Sequence, residues 1–181
     1  RDADAVVVAL KSGTIAPEDA VTQPLAALRW LQANGARQIY FKYCSSFDST
    51  SRGNIGPVTE ALMDALGTDF TIATPAFPDN KRTVFKGHLF VGDVLLNESG
   101  MQNHPLTPMT DPNLARVLQA QCRRRGGLSD HKVVAQRAPA ITERRAGTQP
   151  VGAAANVVDT RRRHVRRGSS PAPEGTPVKL R

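Results

Sequence analysis

The sequence predicts an α/β fold, a layered parallel or mixed sheet with flanking helices, followed by a disordered basic tail. Three observations carry that expectation. Short β-branched or aromatic runs alternate with helix-length amphipathic stretches, in the strand–helix–strand–helix–strand order that builds parallel βαβ units. The 181 residues, 40% of them hydrophobic, are enough for one sizeable core and too few for two large ones. Charge and aromatic residues are also divided unevenly. Residues 1–121 hold 10 Lys and Arg against 12 Asp and Glu together with all 9 aromatic residues, whereas residues 122–181 hold 14 against 4 and no aromatic. Only 10 of those last 60 residues are Leu, Ile, Val or Phe, which at this net charge is the composition of a disordered chain.

The elements follow in order. Ala5–Leu10 (AVVVAL) is a continuous apolar run and reads as a strand covered on both faces. A helical pattern runs from Pro17 to Asn34, with Val21, Leu25, Leu28 and Leu31 on one face and Gly35 as its stop. Pro24 inside it removes a hydrogen bond and predicts a kink or a later start. Gln38–Tyr43 (QIYFKY) reads as the next strand, and a polar loop over Ser45–Asn54 leads to a helix from Pro57 to Leu66 capped by Gly67. Phe70–Thr74 is a further strand ended by the PAFP turn, and Thr83–Phe85 and His88–Val94 are shorter ones. A Pro-rich loop from His104 to Pro108 precedes a helix from Pro112 to Gln121, capped by Thr110 or Asp111. Leu128–Ala140 fits a short strand or helix, and from Arg144 onward no period persists.

Several classes are set aside. No stretch approaches the ~18 apolar residues of a membrane-spanning helix, and the opening RDADAVVVAL lacks the pattern of a secretory signal. Two cysteines, Cys44 and Cys122, make no disulfide framework, so a cytoplasmic location is expected. Cys44, Cys122, His88 and His104 have no close ligand spacing, which argues against a zinc site.

The strongest local signal is FKYCSSFDSTSRGNIGPV, residues 41–58. A strand ends near Tyr43, and a loop carrying Lys42, Asp48, Ser49, Thr50, Arg52, Gly53 and Asn54 turns into a helix. In an open α/β sheet, ligands bind beyond the carboxyl ends of the strands, where helix N-termini favour anions. Arg52 offers a planar fork for a carboxylate or phosphate, and Asp48 and Asn54 can exchange hydrogen bonds with sugar hydroxyls. The competing reading is that Ser, Asp, Asn and Gly simply make turns and caps.

The run from Lys42 to Val58 resembles the sugar-binding N-terminal domain of the four-carbon acid sugar kinases. PAFPDNKRTVFKGHLFVGDVLLNESGMQNHPLTPMTDPNL, residues 75–114, resembles one branch, the 3-oxo-tetronate kinases. The resemblance spans Asp2 to Glu143 and implies a partial acid-sugar-binding domain over residues 1–143, with an Arg-, Pro- and Ala-rich tail over 144–181. It implies ATP-dependent phosphorylation of a terminal hydroxyl on a four-carbon sugar acid, with ATP and Mg²⁺ as cofactors and the sugar acid as small-molecule partner. The residues it marks for substrate contact are Lys42, Asp48, Ser49, Thr50, Arg52, Gly53 and Asn54, with Arg82 and His88 lining the same cleft. It identifies no catalytic residue. His88 also fits a structural role at a strand start, and His104 reads as a loop residue.

Set against that resemblance, Gly13 stands where such kinases usually carry Arg, Thr74 where they usually carry Cys and Lys81 where they usually carry glycine, and Pro24 interrupts a helix they build without it. It has no Walker-type phosphate loop, and nothing in it resembles the family's nucleotide-binding domain. The expectation is therefore a kinase fragment cut at its start, with a tail of the kind a shifted reading frame produces, and inactive alone. Two alternatives are a non-catalytic acid-sugar-binding module and a nucleic-acid binder using Arg123–Arg125 and the RRRHVRR run at 161–167. The tail has no aromatics for base stacking, which weighs against the second.

Overall fold

The computed structural model describes residues 4–48, 50–135 and 154–158. Helices α1 (Pro17–Ala33) and α2 (Ile55–Leu66) come first, then strand β1 (Phe70–Ala73). Strands β2 (Arg82–Phe85), β3 (His88–Val91) and β4 (Val94–Leu95) form an antiparallel sheet in that order. Helix α3 (Leu114–Gln121), strand β5 (Gly126–Ser129), helix α4 (His131–Ala135) and strand β6 (Ala154–Val158) complete the order. β6 lies between β1 and β5 and pairs parallel with both, which gives the parallel sheet the α/β reading called for.

The local chemistry explains most of these boundaries. α1 begins at Pro17, where a missing N–H costs nothing, and buries Ala20, Pro24 and Leu28, one stripe at four-residue spacing. It does not start late: Pro24 lies inside the helix and its ring takes a core position. α2 ends on Gly67 at φ 63°, a left-handed cap that glycine adopts without a steric penalty. Lys86 and Gly87, both at positive φ (49° and 76°), make the two-residue turn between β2 and β3, whose twist suits a hairpin. α3 starts at Leu114, later than Pro112, and its cap is neither Thr110 nor Asp111. Asn113 caps it by accepting from the Arg116 N–H at 3.0 Å, and Asp111 in turn accepts from the Asn113 N–H.

Two buried clusters hold the layers together. One joins Ala20 and Leu28 of α1 to Ile39 and to Val58 and Leu62 of α2. The other gathers Phe47, Ile55, Ala73, Val84, Leu89, Leu96, Met109, Leu114, Val117 and Leu118, and Phe41 packs against both.

Three expectations are corrected. Ala5–Leu10 forms no strand and is not covered: Val7 is 91% exposed, and no described strand pairs with the segment. A run of β-branched residues becomes a buried strand only when neighbours supply the ladder and the cover. Gln38–Tyr43 is likewise outside any ladder. It does keep the alternation, with Ile39 buried and Phe41 and Tyr43 packed on the core while Tyr40 and Lys42 are exposed. The disordered tail does not hold at Ala154–Val158, which form the central strand of the parallel sheet. The other residues beyond Ala135 lie outside the described ones. Among the described residues no helix is long and apolar enough to cross a membrane.

Candidate functional site

The polar loop between Tyr43 and α2 is held at its start by an aromatic plug. Phe47 is 1% exposed, sits edge-on to Tyr43 with ring centroids 5.5 Å apart, and adopts a left-handed φ of 51°. Its N–H closes a turn onto Cys44 O at 2.9 Å. Burial pushes the Tyr43 phenol well above its ordinary range, so this plug stays neutral. The plug anchors the backbone directly before Asp48.

Asp48 meets a second loop. The Thr107 hydroxyl donates to Asp48 Oδ1, and Thr107 Oγ1 is also 2.9 Å from His104 Nδ1. The Thr107 N–H donates to the same nitrogen at 3.1 Å. Met109, 2% exposed and bonded through its N–H to Met101 O at 3.0 Å, anchors this Pro-bounded loop in the core. Thr107 is buried, whereas Asp48 and His104 are half-buried. Three groups able to exchange hydrogen bonds with hydroxyls thus converge from two loops far apart in sequence.

The other end of the segment is wired inward. Asn54 Nδ2 donates to Ser12 O and to Ile15 O, both at 2.8 Å, so both amide hydrogens tie α2 to the chain before α1. At the first turn of α2, the Gly56 N–H is taken by Gln121 Oε1 at 2.7 Å, Pro57 has none, and the Val58 N–H goes to Asn54 O. Gln121 Nε2 also reaches Thr50 O at 2.5 Å, and the Gly53 N–H closes a turn onto the same oxygen at 2.9 Å. At the α2 N-terminus the Gly56 amide is thus taken from within the fold, as are the Asn54 side-chain amide hydrogens and the Gly53 N–H.

The remaining expected residues are scattered. Arg52 is exposed, its N–H 3.3 Å from Thr50 Oγ1, and Lys42 is exposed. Ser49 lies outside the described residues. Arg82 and His88 occupy opposite ends of the β2–β3 hairpin, since Arg82 pairs with Val91 and His88 with Phe85. Three residues of strand separate them by about 10 Å, so the hairpin does not present them together. Arg82 Nη1 donates to Asn80 O at 2.8 Å, and His88 Nδ1 lies 2.9 Å from Lys86 O. Both serve turns. Sequence reading missed Thr107, His104 and Gln121. The HPLTPM stretch carries a signal, a polar threonine between two prolines, and a histidine that local sequence alone reads as a loop residue.

The arginines considered for nucleic acid are partly committed. Arg123 Nε is 3.4 Å from the Glu60 carboxylate, the Arg124 N–H donates to Glu60 Oε1 at 2.7 Å, and the Arg124 guanidinium pairs with Asp64. These pairs tie the turn after α3 to α2. The RRRHVRR run lies outside the described residues. Among the described residues no three His, Cys, Asp or Glu side chains form a group that could hold a metal ion.

Comparison with known proteins gives a consistent result. The profile of the sugar-binding N-terminal domain family matches residues 1–165. A 3-oxo-tetronate kinase of Cupriavidus necator is 61% identical over 158 residues, covering 87% of this chain and 37% of that protein. One from Burkholderia multivorans is 66% identical over 135 residues, covering 75% and 32%. The chain thus spans less than two fifths of the length of the curated relatives it matches. A crystal structure of a Haemophilus influenzae protein superposes with a TM-score of 0.83 at 52% identity, covering 87% of this chain and 38% of that one. A Bordetella bronchiseptica protein, solved with bound citrate as a domain-swapped dimer, gives 0.59 at 29% identity, covering 81% and 34%. By sequence and by fold, the chain belongs to the sugar-binding N-terminal domain family.

Proposed function

We propose that this chain is the substrate-recognising part of a 3-oxo-tetronate kinase, whose complete form transfers the ATP γ-phosphoryl group to the terminal hydroxyl of the four-carbon acid. The observation that carries the reading is its 53–66% identity to eight curated 3-oxo-tetronate kinases. Within the domain, Asp48 faces Thr107 and His104, and the exposed Arg52 is the group suited to the substrate carboxylate. ATP and Mg²⁺ belong to the reaction of the whole protein, and a cytoplasmic location is part of the same proposal. Phosphoryl transfer requires the acceptor hydroxyl, the metal and the phosphates in line, so the chain alone is expected to bind without turnover.

A thermal-shift titration of the chain with 3-oxo-tetronate, beside a coupled assay for ATP consumption, tests this. Stabilisation that grows with ligand concentration, without ADP release, is the expected result. No stabilisation at high ligand concentration would sink the substrate reading.

A further inference from the structure

His104 and His88 are held in opposite proton arrangements. At His88, Nδ1 faces the Lys86 carbonyl at 2.9 Å, and a carbonyl only accepts, so that nitrogen carries the proton. At His104, Nδ1 receives the Thr107 N–H at 3.1 Å, and a backbone N–H only donates. That nitrogen must carry a lone pair, which places the proton of the neutral ring on Nε2. Thr107 has one hydroxyl proton and two acceptors near it, His104 Nδ1 at 2.9 Å and the Asp48 carboxylate. The charged oxygen is the stronger acceptor and takes it. Asp48 Oδ2 and His104 Nε2–H are then the two ends of the unit, and among the described residues neither is engaged.

We infer that Asp48, Thr107 and His104 act together as a reader of substrate oxygens, a specificity element in which Asp48 accepts from a hydroxyl and His104 Nε2–H donates to a neighbouring keto or hydroxyl oxygen. Thr107 is the positioning residue that sets both orientations. A ligand with adjacent oxygens on a short acid satisfies an acceptor and a donor at once. A deoxy acid leaves both unpaired, and unpaired polar groups at a binding site are the main source of discrimination. The inference rests on the acid-sugar reading above and adds to it which part of the sugar is recognised, and by which residues.

Calorimetric titration of the 181-residue chain with 3-oxo-tetronate, and with 4-hydroxybutanoate as the acid lacking the C2 and C3 oxygens, tests the idea. His104→Phe and Thr107→Val are each expected to weaken 3-oxo-tetronate binding about tenfold or more, with little change for 4-hydroxybutanoate. Thr107→Ser restores affinity because the hydroxyl returns. Nitrogen NMR of the imidazoles supplies a readout that needs no ligand: His104 is expected as the Nε2–H form and His88 as the Nδ1–H form. Undiminished 3-oxo-tetronate binding in His104→Phe, equal losses for both acids, or a protonated Nδ1 on His104 would each overturn the oxygen reader while leaving the acid-sugar reading intact. Absence of 3-oxo-tetronate binding by the unmodified chain would overturn both.

Discussion

Asp48 and Asn54 lie at the two ends of one polar loop, and the fold uses them in opposite ways. Asn54 is 7% exposed and spends both amide hydrogens on the carbonyls of Ser12 and Ile15. Asp48 is half-buried and bonds through one oxygen to a hydroxyl that belongs to another loop. The first is a clamp, the second a presented group. The difference comes from what stands beside each. Asn54 precedes a helix whose first turn is pressed against the end of α3, whereas Asp48 follows an aromatic plug that anchors the chain and leaves the next side chain at the surface. Residues of similar polarity in one motif therefore divide into those that hold the loop and those that can meet a ligand.

The comparison breaks first at Gly56. A Cβ there would lie 2.5 Å from Gln121 Cβ, 2.9 Å from Cys122 Sγ and 3.0 Å from the Gln121 backbone carbon. A backbone neighbour cannot swing away, so Gly56→Ala must push α2 and α3 apart. Overpacking of this kind costs about 3 kcal/mol, which outweighs the ~1 kcal/mol that alanine contributes to helix propensity. Chemical denaturation should show that loss, together with weaker 3-oxo-tetronate binding as the Thr50 carbonyl loses its bond from Gln121. A variant as stable as the parent would show that the wired end is not wired.

Asn54→Ala comes next. It strands the carbonyls of Ser12 and Ile15 and is expected to cost about 2 kcal/mol. Asn54→Asp should cost more, since a carboxylate cannot donate and would face two carbonyl oxygens. Asp48→Asn should leave the denaturation midpoint near that of the parent and act on ligand binding. If Asn54 and Asp48 variants lose stability alike, the division between clamp and presented group fails.

Much of this was legible in the sequence, and the reasons differ by element. α1, α2 and the β2–β3 hairpin announce themselves through local chemistry: Pro17 at a first turn, Gly67 as a left-handed cap, Lys86-Gly87 between two apolar runs. Ala5–Leu10 has the composition of a buried strand, yet burial depends on partners that no local pattern encodes. Ala154–Val158 is the reverse case. It stands in a segment whose average composition reads as disordered, and its place between β1 and β5 is a long-range fact. In the site, the motif that carries Asp48 was visible, but its hydrogen-bond partner Thr107 is 59 positions away. Gln121, which occupies the Gly56 amide at the start of α2, is 65 positions from Gly56. Sequence spacing identifies turns and caps well. Whether a polar side chain caps, clamps or waits for a ligand depends on contacts that only the folded chain brings together.

The two cysteines offer the mildest test, because each marks one end of the contrast. Cys44 opens the loop on its presented side, exposed, with Sγ 3.0 Å from Ser46 Oγ. Cys122 sits beneath Gly56 on the wired side, where burial, aided by the Glu60 carboxylate, pushes its thiol up to about 12. The thiolate is the reactive species, so at pH 8 Cys122 presents roughly one part in ten thousand of it, as the distance from a pKa of about 12 dictates. A disulfide reagent should therefore modify one thiol promptly in the folded chain and the second only on denaturation. The sign of the pH effect follows as well. The folded thiol ionises later than the unfolded one, so its contribution is intact below the ordinary value of 9.0 and drains away as pH rises toward about 12. Two thiols reacting at equal rates in the native chain would mean that the α2–α3 contact opens readily. The tight end of the loop would then be no tighter than the other.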